Sequence, residues 1–169
     1  IFSKKKNLRV LSLKKYLSPE FSIKTIGGGS LGQERDSSCL LEKHLITPTK
    51  KKLTPNQLST GLFAWKVVKH TKSNAIVVAK NNKIISISGG QTSRVDATKI
   101  AFEKTKIPKG CTVASDAFFP FKDSIEKMAQ YNIAAIIQPG GSIRDKEVVE
   151  SCNKNKIAMA FTGFRVFKH

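Results

Sequence analysis

The sequence predicts an α/β fold: a mixed sheet, largely parallel in its later part, with helices on both faces. Three observations predict it. Two compact apolar runs, Ala75–Ala79 and Ile84–Ser88, are separated by four polar residues, the pattern of a β-hairpin. From Ser93 onward, segments with three- and four-residue apolar spacing alternate with short apolar runs, as strands joined by crossover helices do. The chain has 169 residues, 40% apolar and 25% charged, a length and composition that suit one domain with its own core.

Taken in order, residues 7–12 read as a short strand. Residues 27–38 hold Gly27, Gly28, Gly29 and Gly32 before Gln33-Glu34-Arg35-Asp36, a turn-rich or irregular stretch, since glycine frees the backbone to adopt positive φ. Residues 47–55 form a polar connector with two prolines and three lysines. A helix starts at its end: Thr54 can cap, and Pro55 suits the first helical position. Leu58, Leu62, Trp65 and then Val68 or Lys69 recur at helical spacing, and the helix ends near Thr71. Lys80-Asn-Asn-Lys83 separates the two hairpin strands, with asparagines able to enter the left-handed region. Then come a helix over 93–104 with Ala97, Ile100, Ala101 and Lys104 on one face, and a strand over 111–115. A helix over 121–130 has Phe121, Ile125 and Met128 in step. A strand over 133–138, a helix over 145–153 and a strand over 157–162 complete the chain.

Composition excludes several classes. No apolar run approaches the ~20 residues of a membrane span, so a membrane protein is excluded. No secretory signal is read at the start, and the first residue is Ile1 rather than Met, as in a fragment or a processed piece. Cys39, Cys111 and Cys152 are widely spaced with no CxxC pair, which argues for reduced thiols in a cytosolic protein and against a disulfide framework or Cys-pair zinc site. Lys and Arg number 30 against 12 Asp and Glu, a net charge of +18. Such charge suits either nucleic acid or a solvated surface on an enzyme with anionic substrates. Only five of the basic residues are Arg, whereas base readers lean on Arg, so the solvated surface is preferred.

In an open α/β sheet, ligands gather beyond the carboxyl ends of the strands. Four segments fall there: Ser73-Asn74, Ser88–Arg94, Ser115–Asp123 and Gln138–Asp145. The last three pass from a strand end through small or turn-forming residues to a helix start, where exposed N–H groups attract anions or carbonyl oxygens. Each also has a plain structural explanation. Gly89-Gly90 and Gly140-Gly141 suit tight turns, and Phe118-Phe119-Pro120-Phe121 could plug the core. The same aromatics beside Asp116 and Asp123 could instead receive a flat heteroaromatic ring. His44 lies in a polar stretch, His70 at a helix end and His169 at the last position. There is no His-x-Glu with Pro-Cys-x-x-Cys, so a zinc deaminase lacks its ligands. There is also no P-loop and no Ser-His-Asp spacing.

Five stretches make the sequence recognisable: Lys72–Asn81, Gly89-Gly-Gln-Thr-Ser-Arg-Val95, Ala114-Ser-Asp-Ala-Phe-Phe-Pro-Phe-Lys-Asp123, Ile137-Gln-Pro-Gly-Gly-Ser-Ile-Arg-Asp145 and Phe164-Arg-Val-Phe-Lys-His169. In this order the chain resembles the C-terminal portion of the formyltransferase domain in the PurH family of bifunctional purine-biosynthesis enzymes. Gly28–Asp36 and Phe63–Val68 extend the likeness to nearly all 169 residues.

The resemblance implies a cytidine-deaminase-like three-layer α/β fold without catalytic zinc. It implies formyl transfer from 10-formyltetrahydrofolate, the co-substrate, to aminoimidazole carboxamide ribonucleotide, on the route to inosine monophosphate. By it, Asn74 bonds the substrate carboxamide, Arg94 lies against that end of the nucleotide, Arg165 binds its phosphate and Phe118 contacts the imidazole. Val95, Pro120 and Phe121 line a folate pocket, Asp123 accepts from the pterin, and His169 closes the nucleotide site as the catalytic candidate. The resemblance also implies a cytoplasmic homodimer with a shared site. By it, residues 1–169 are the C-terminal subdomain; the cyclohydrolase domain and the first formyltransferase subdomain, with its Lys-His pair, are absent. A chain lacking that pair is expected to transfer little or no formyl group alone. The alternative is a non-catalytic binding or structural protein that keeps the fold and associates with RNA.

Overall fold

The computed structural model describes residues 7–12, 21–34, 36–37 and 39–168. The chain divides into two compact units, Ile1–Ser38 and Cys39–His169.

In the first unit, β1 (Phe21–Ile26) and β2 (Gly29–Glu34) form an antiparallel hairpin, with Phe21 opposite Glu34 and Ile26 opposite Gly29. The irregular stretch expected from 27 onward is therefore largely β-strand. Glycine is needed only at the two-residue turn, where Gly28 has φ +84°; the rest of the ladder needs only backbone groups. Residues 7–12, expected as a strand, form none: no neighbouring backbone pairs with them among the described residues.

The second unit holds α1 (Pro55–Lys69), β3 (Ile76–Lys80), β4 (Lys83–Ser88), α2 (Arg94–Glu103), β5 (Thr112–Ser115), α3 (Asp123–Ala129), β6 (Ala135–Gln138), α4 (Asp145–Lys154) and β7 (Ala158–Phe161). The five strands lie in the order β4-β3-β5-β6-β7. β3 runs antiparallel to both β4 and β5, whereas β5, β6 and β7 are parallel. This is the expected mixed sheet. Its hairpin turns on Asn81 and Asn82, both in the left-handed region at φ 51° and 55°, as a tight two-residue turn requires.

Three layers follow from the two-residue period of the strands. Ile76, Val78, Val113, Ile136 and Met159 pack toward α2, α3 and α4. Val77, Ala79, Ala114, Ile137 and Ala160 pack on the opposite face, toward Ala64, Trp65 and Val68 of α1. Thr54 caps α1 as expected, accepting from the Gln57 amide at 3.3 Å.

Three helix faces differ from expectation. α1 buries Thr60, Gly61, Ala64, Trp65 and Val68, while Leu58 and Leu62 are only half-buried. Close approach decides this: a Cβ on Gly61 would fall 2.2 Å from Ile137 Cδ1. α2 buries Ala97, Thr98, Ala101 and Phe102 and leaves Ile100 exposed. α3 begins at Asp123, so Phe121 stays outside it at 43% exposure, and the fully buried Phe119 plugs the core.

Candidate functional site

Antiparallel pairing of β3 with β5 decides where the polar loops meet. Ile76, at the start of β3, lies opposite both Ser115, at the end of β5, and Ser88, at the end of β4. Ser73-Asn74, the loop after β4 and the loop after β5 therefore share one end of the sheet. The loops after β6 and β7 leave from the same end, because those strands run parallel to β5.

A polar network holds this end together. The Asp116 carboxylate is completely buried. Its Oδ1 accepts from Arg94 Nη1 and, at 3.1 Å, from the Ala75 amide; its Oδ2 accepts from the Ser73 hydroxyl at 2.5 Å. Arg94 is 7% exposed. Its Nη1 also donates to the Ala75 carbonyl at 3.2 Å, and its Nη2 donates to Asn74 Oδ1 at 2.8 Å. Asn74 Nδ2 donates to the Gln91 carbonyl at 2.9 Å. A buried charge needs both an opposite charge and hydrogen bonds, and Arg94 and Asp116 supply both to each other. Because Oδ1 of Asn74 faces a donor and Nδ2 an acceptor, the orientation of its amide is fixed. One N–H and one lone pair of that amide remain beyond these bonds.

The tail joins the same network. The Ser73 amide donates to the Lys168 carbonyl at 2.8 Å, the Lys168 amide to Ser73 Oγ at 3.0 Å, and the Val166 amide to the Asp116 carbonyl at 3.0 Å. Val166 is buried, and Phe164 meets Trp65 edge-on at 6.0 Å. Alternation along this extended segment leaves Arg165 exposed. Its guanidinium lies 4.9 Å from the Phe118 ring centroid and 6.0 Å from that of Phe167, within the range of cation–π attraction.

The network thus brings Asn74 and Arg94 into contact, and Asp116 links them through the tail to the Arg165–Phe118 pair. Val95 follows Arg94 in the first turn of α2 and is 49% exposed. Pro120 is half-buried, Phe121 is exposed and Asp123 opens α3 at the surface. Phe121 carries the Arg144 guanidinium 4.7 Å from its centroid. His169 lies outside the described residues.

Asp116, beside the aromatics that could plug the core or receive a ring, is closed off by Arg94, Ser73 and Ala75. One signal could have found this: a carboxylate directly after β5, whose four residues are all buried, must find a cation, and Arg94 opens a helix packed on the same sheet. Ser73 and Gln91 gave no such signal, since their roles come from which loops meet.

Elsewhere, the free thiols separate by burial. Cys39 is exposed, whereas Cys111 and Cys152 are buried. Burial pushes the Cys152 thiol up to about 12. It also raises Cys111, against the opposing pull of Lys80. Among the described residues, no group of three or more His, Cys, Asp or Glu side chains is placed to hold a metal, and no helix is long and apolar enough to cross a membrane.

Comparison with known families adds to this geometry. Residues 1–104 match the family model described as the AICARFT/IMPCHase bienzyme. The chain belongs to this family. Among AICARFT/IMPCHase relatives, the bifunctional purine biosynthesis protein PurH of Aquifex aeolicus is 51% identical over 171 residues, covering 99% of this chain. Those of Petrotoga mobilis and Persephonella marina are 48% and 47% identical, over 100% and 98% of it. In each case the chain spans about a third, 33%, of the relative's length.

Proposed function

We propose that this chain is the substrate-holding part of a formyltransferase. It would hold aminoimidazole carboxamide ribonucleotide while the formyl group of 10-formyltetrahydrofolate is transferred to the 5-amino group. One observation carries the reading. In a chain of the AICARFT/IMPCHase family, Asn74, Arg94, Phe118 and Arg165 are drawn from four separate segments to one sheet end and tied together through Asp116 and the tail.

The roles follow from chemistry. The fixed Asn74 amide both donates and accepts, which matches a carboxamide. Arg165 offers a planar fork to a phosphate, and Phe118 offers a ring face to the imidazole. Val95, Pro120 and Phe121 give the folate an apolar seat, with Asp123 accepting from pterin N–H groups. In the transfer the amine nitrogen attacks the formyl carbon, the C–N bond to N10 breaks, the amine loses a proton, and N10 gains one as tetrahydrofolate leaves. Holding the amine against the formyl carbon and stabilising charge on the formyl oxygen lower the barrier. His169 would close the nucleotide site. By the resemblance, the family's catalytic Lys-His pair belongs to the region preceding these residues, and Lys168-His169 is a different element. This chain is assigned binding, with the remaining region and a second copy completing a cytoplasmic enzyme.

Titration calorimetry with the carboxamide ribonucleotide tests this. Binding is expected, weakened about tenfold or more by Arg165→Ala or Asn74→Ala, the order expected when a hydrogen bond to a charged or buried group is lost. No heat with the nucleotide, together with salt-sensitive retention on RNA, would favour the non-catalytic RNA-associated alternative.

A further inference from the structure

Within the proposed nucleotide site, Arg94 is the cation nearest to Asn74, its Nη2 donating directly to Asn74 Oδ1. A bare guanidinium there would draw an anionic ligand. It is not bare: Asp116, 0% exposed, accepts from Nη1 of the same guanidinium. The two opposite charges cancel within one buried pair, while the Ser73 hydroxyl and Ala75 amide satisfy the carboxylate further.

We infer that Asp116 makes the Asn74 end of the site electrically neutral and so selects a ligand bearing an uncharged carboxamide over one bearing a carboxylate at the same place. The inference rests on the nucleotide reading above and adds to it the group that sets specificity. Asp116 acts through Arg94 and is a positioning residue; Asn74 is the group that would touch the ligand.

Two physical effects favour the carboxamide. The spare N–H and lone pair on the Asn74 amide match a group that itself donates and accepts, whereas a carboxylate only accepts. A carboxylate arriving here would also lose water without gaining a net positive partner, because the guanidinium charge is already paired. Discrimination by an unpaired or mismatched buried group is stronger than discrimination by shape alone.

The experiment compares two ligands on this chain by calorimetry: the carboxamide ribonucleotide and its analogue with a carboxylate in place of the carboxamide. The quantity read is the ratio of their dissociation constants. Asp116→Asn leaves Arg94 as an unpaired cation, and the preference for carboxamide is expected to fall by about tenfold or more, the change one opposite charge at close range can bring. Arg94→Gln leaves the Asp116 carboxylate unpaired and should shift the ratio the opposite way, toward stronger rejection of the carboxylate. Because the two shifts have opposite signs, either variant carries the test if the other fails to fold. The double variant Asp116→Asn/Arg94→Gln removes both charges and should return the ratio toward that of the unaltered chain. A purely structural role for Asp116 would weaken both ligands equally and leave the ratio unchanged, which overturns the inference while the nucleotide reading stands. Failure of the unaltered chain to bind either ligand overturns the nucleotide reading, and the inference with it.

Discussion

Cys152 sits in α4 with a thiol raised to about 12 from an ordinary value of 9.0. A raised folded-state value means stability fully present below pH 9 and lost as pH climbs toward 12. Denaturant titrations across that window are expected to show a declining limb that Cys152→Ala flattens. A polar thiol reagent at neutral pH should label Cys39 rapidly, and Cys111 and Cys152 only after unfolding, because both are buried. A second fast thiol in the folded protein would contradict this burial. Gly140, in the loop between β6 and α4, has φ +71° and a would-be Cβ 2.8 Å from the Phe161 ring. Both terms oppose a side chain, so Gly140→Ala should cost about 1–3 kcal/mol, read as a lower denaturant midpoint at unchanged slope.

At the scale of elements, α1 shows how a helix can be positioned by its small residues. Its leucines suggested the buried stripe, yet Gly61 and Ala64 touch the sheet and Trp65 and Val68 complete the contact. Helical spacing identifies a helix, but the face that wins is the one that lets backbone approach sheet most closely. Its start was easier to foresee. Thr54 and Gln57 form a reciprocal cap, with Gln57 Oε1 accepting from the Thr54 amide at 2.9 Å. Thr54→Ala should cost about 1 kcal/mol, measurable by chemical denaturation, whereas Thr54→Ser should cost little. The β3–β4 turn was legible for a similar reason: few residues besides Asn and Gly accept two successive positive φ angles.

On the scale of the whole molecule, strands and helices of the second unit were readable because each carries a local signature in period or cap. The first unit was not: its hairpin pairs Ser22 with Gln33 and Ile23 with Gly32, and such partners leave no marked alternation. The candidate site was legible only as separate loops. That Asp116 would be closed off by Arg94, with the tail stitched beside it, depends on antiparallel pairing of β3 with β5, a long-range choice invisible in any one segment. The division at Ser38 and Cys39 carries its own expectation. The polypeptide Cys39–His169 holds all five strands of the larger sheet and both core clusters, and should unfold in one cooperative transition when produced alone. A two-stranded hairpin is at best marginal in isolation, so Ile1–Ser38 alone should give no such transition by circular dichroism.

The double link between Ser73 and Lys168 has a practical corollary for anyone dissecting this region by deletion. Shortening the protein after Gly163 would strip Arg165 and, in the same cut, unfasten the Ser73 hydroxyl and the Asp116 carbonyl. A shortened protein that no longer bound ligand would thus report a slackened scaffold as readily as a missing contact. Single replacements of Arg165 that keep the Val166 and Lys168 amides in place separate the two.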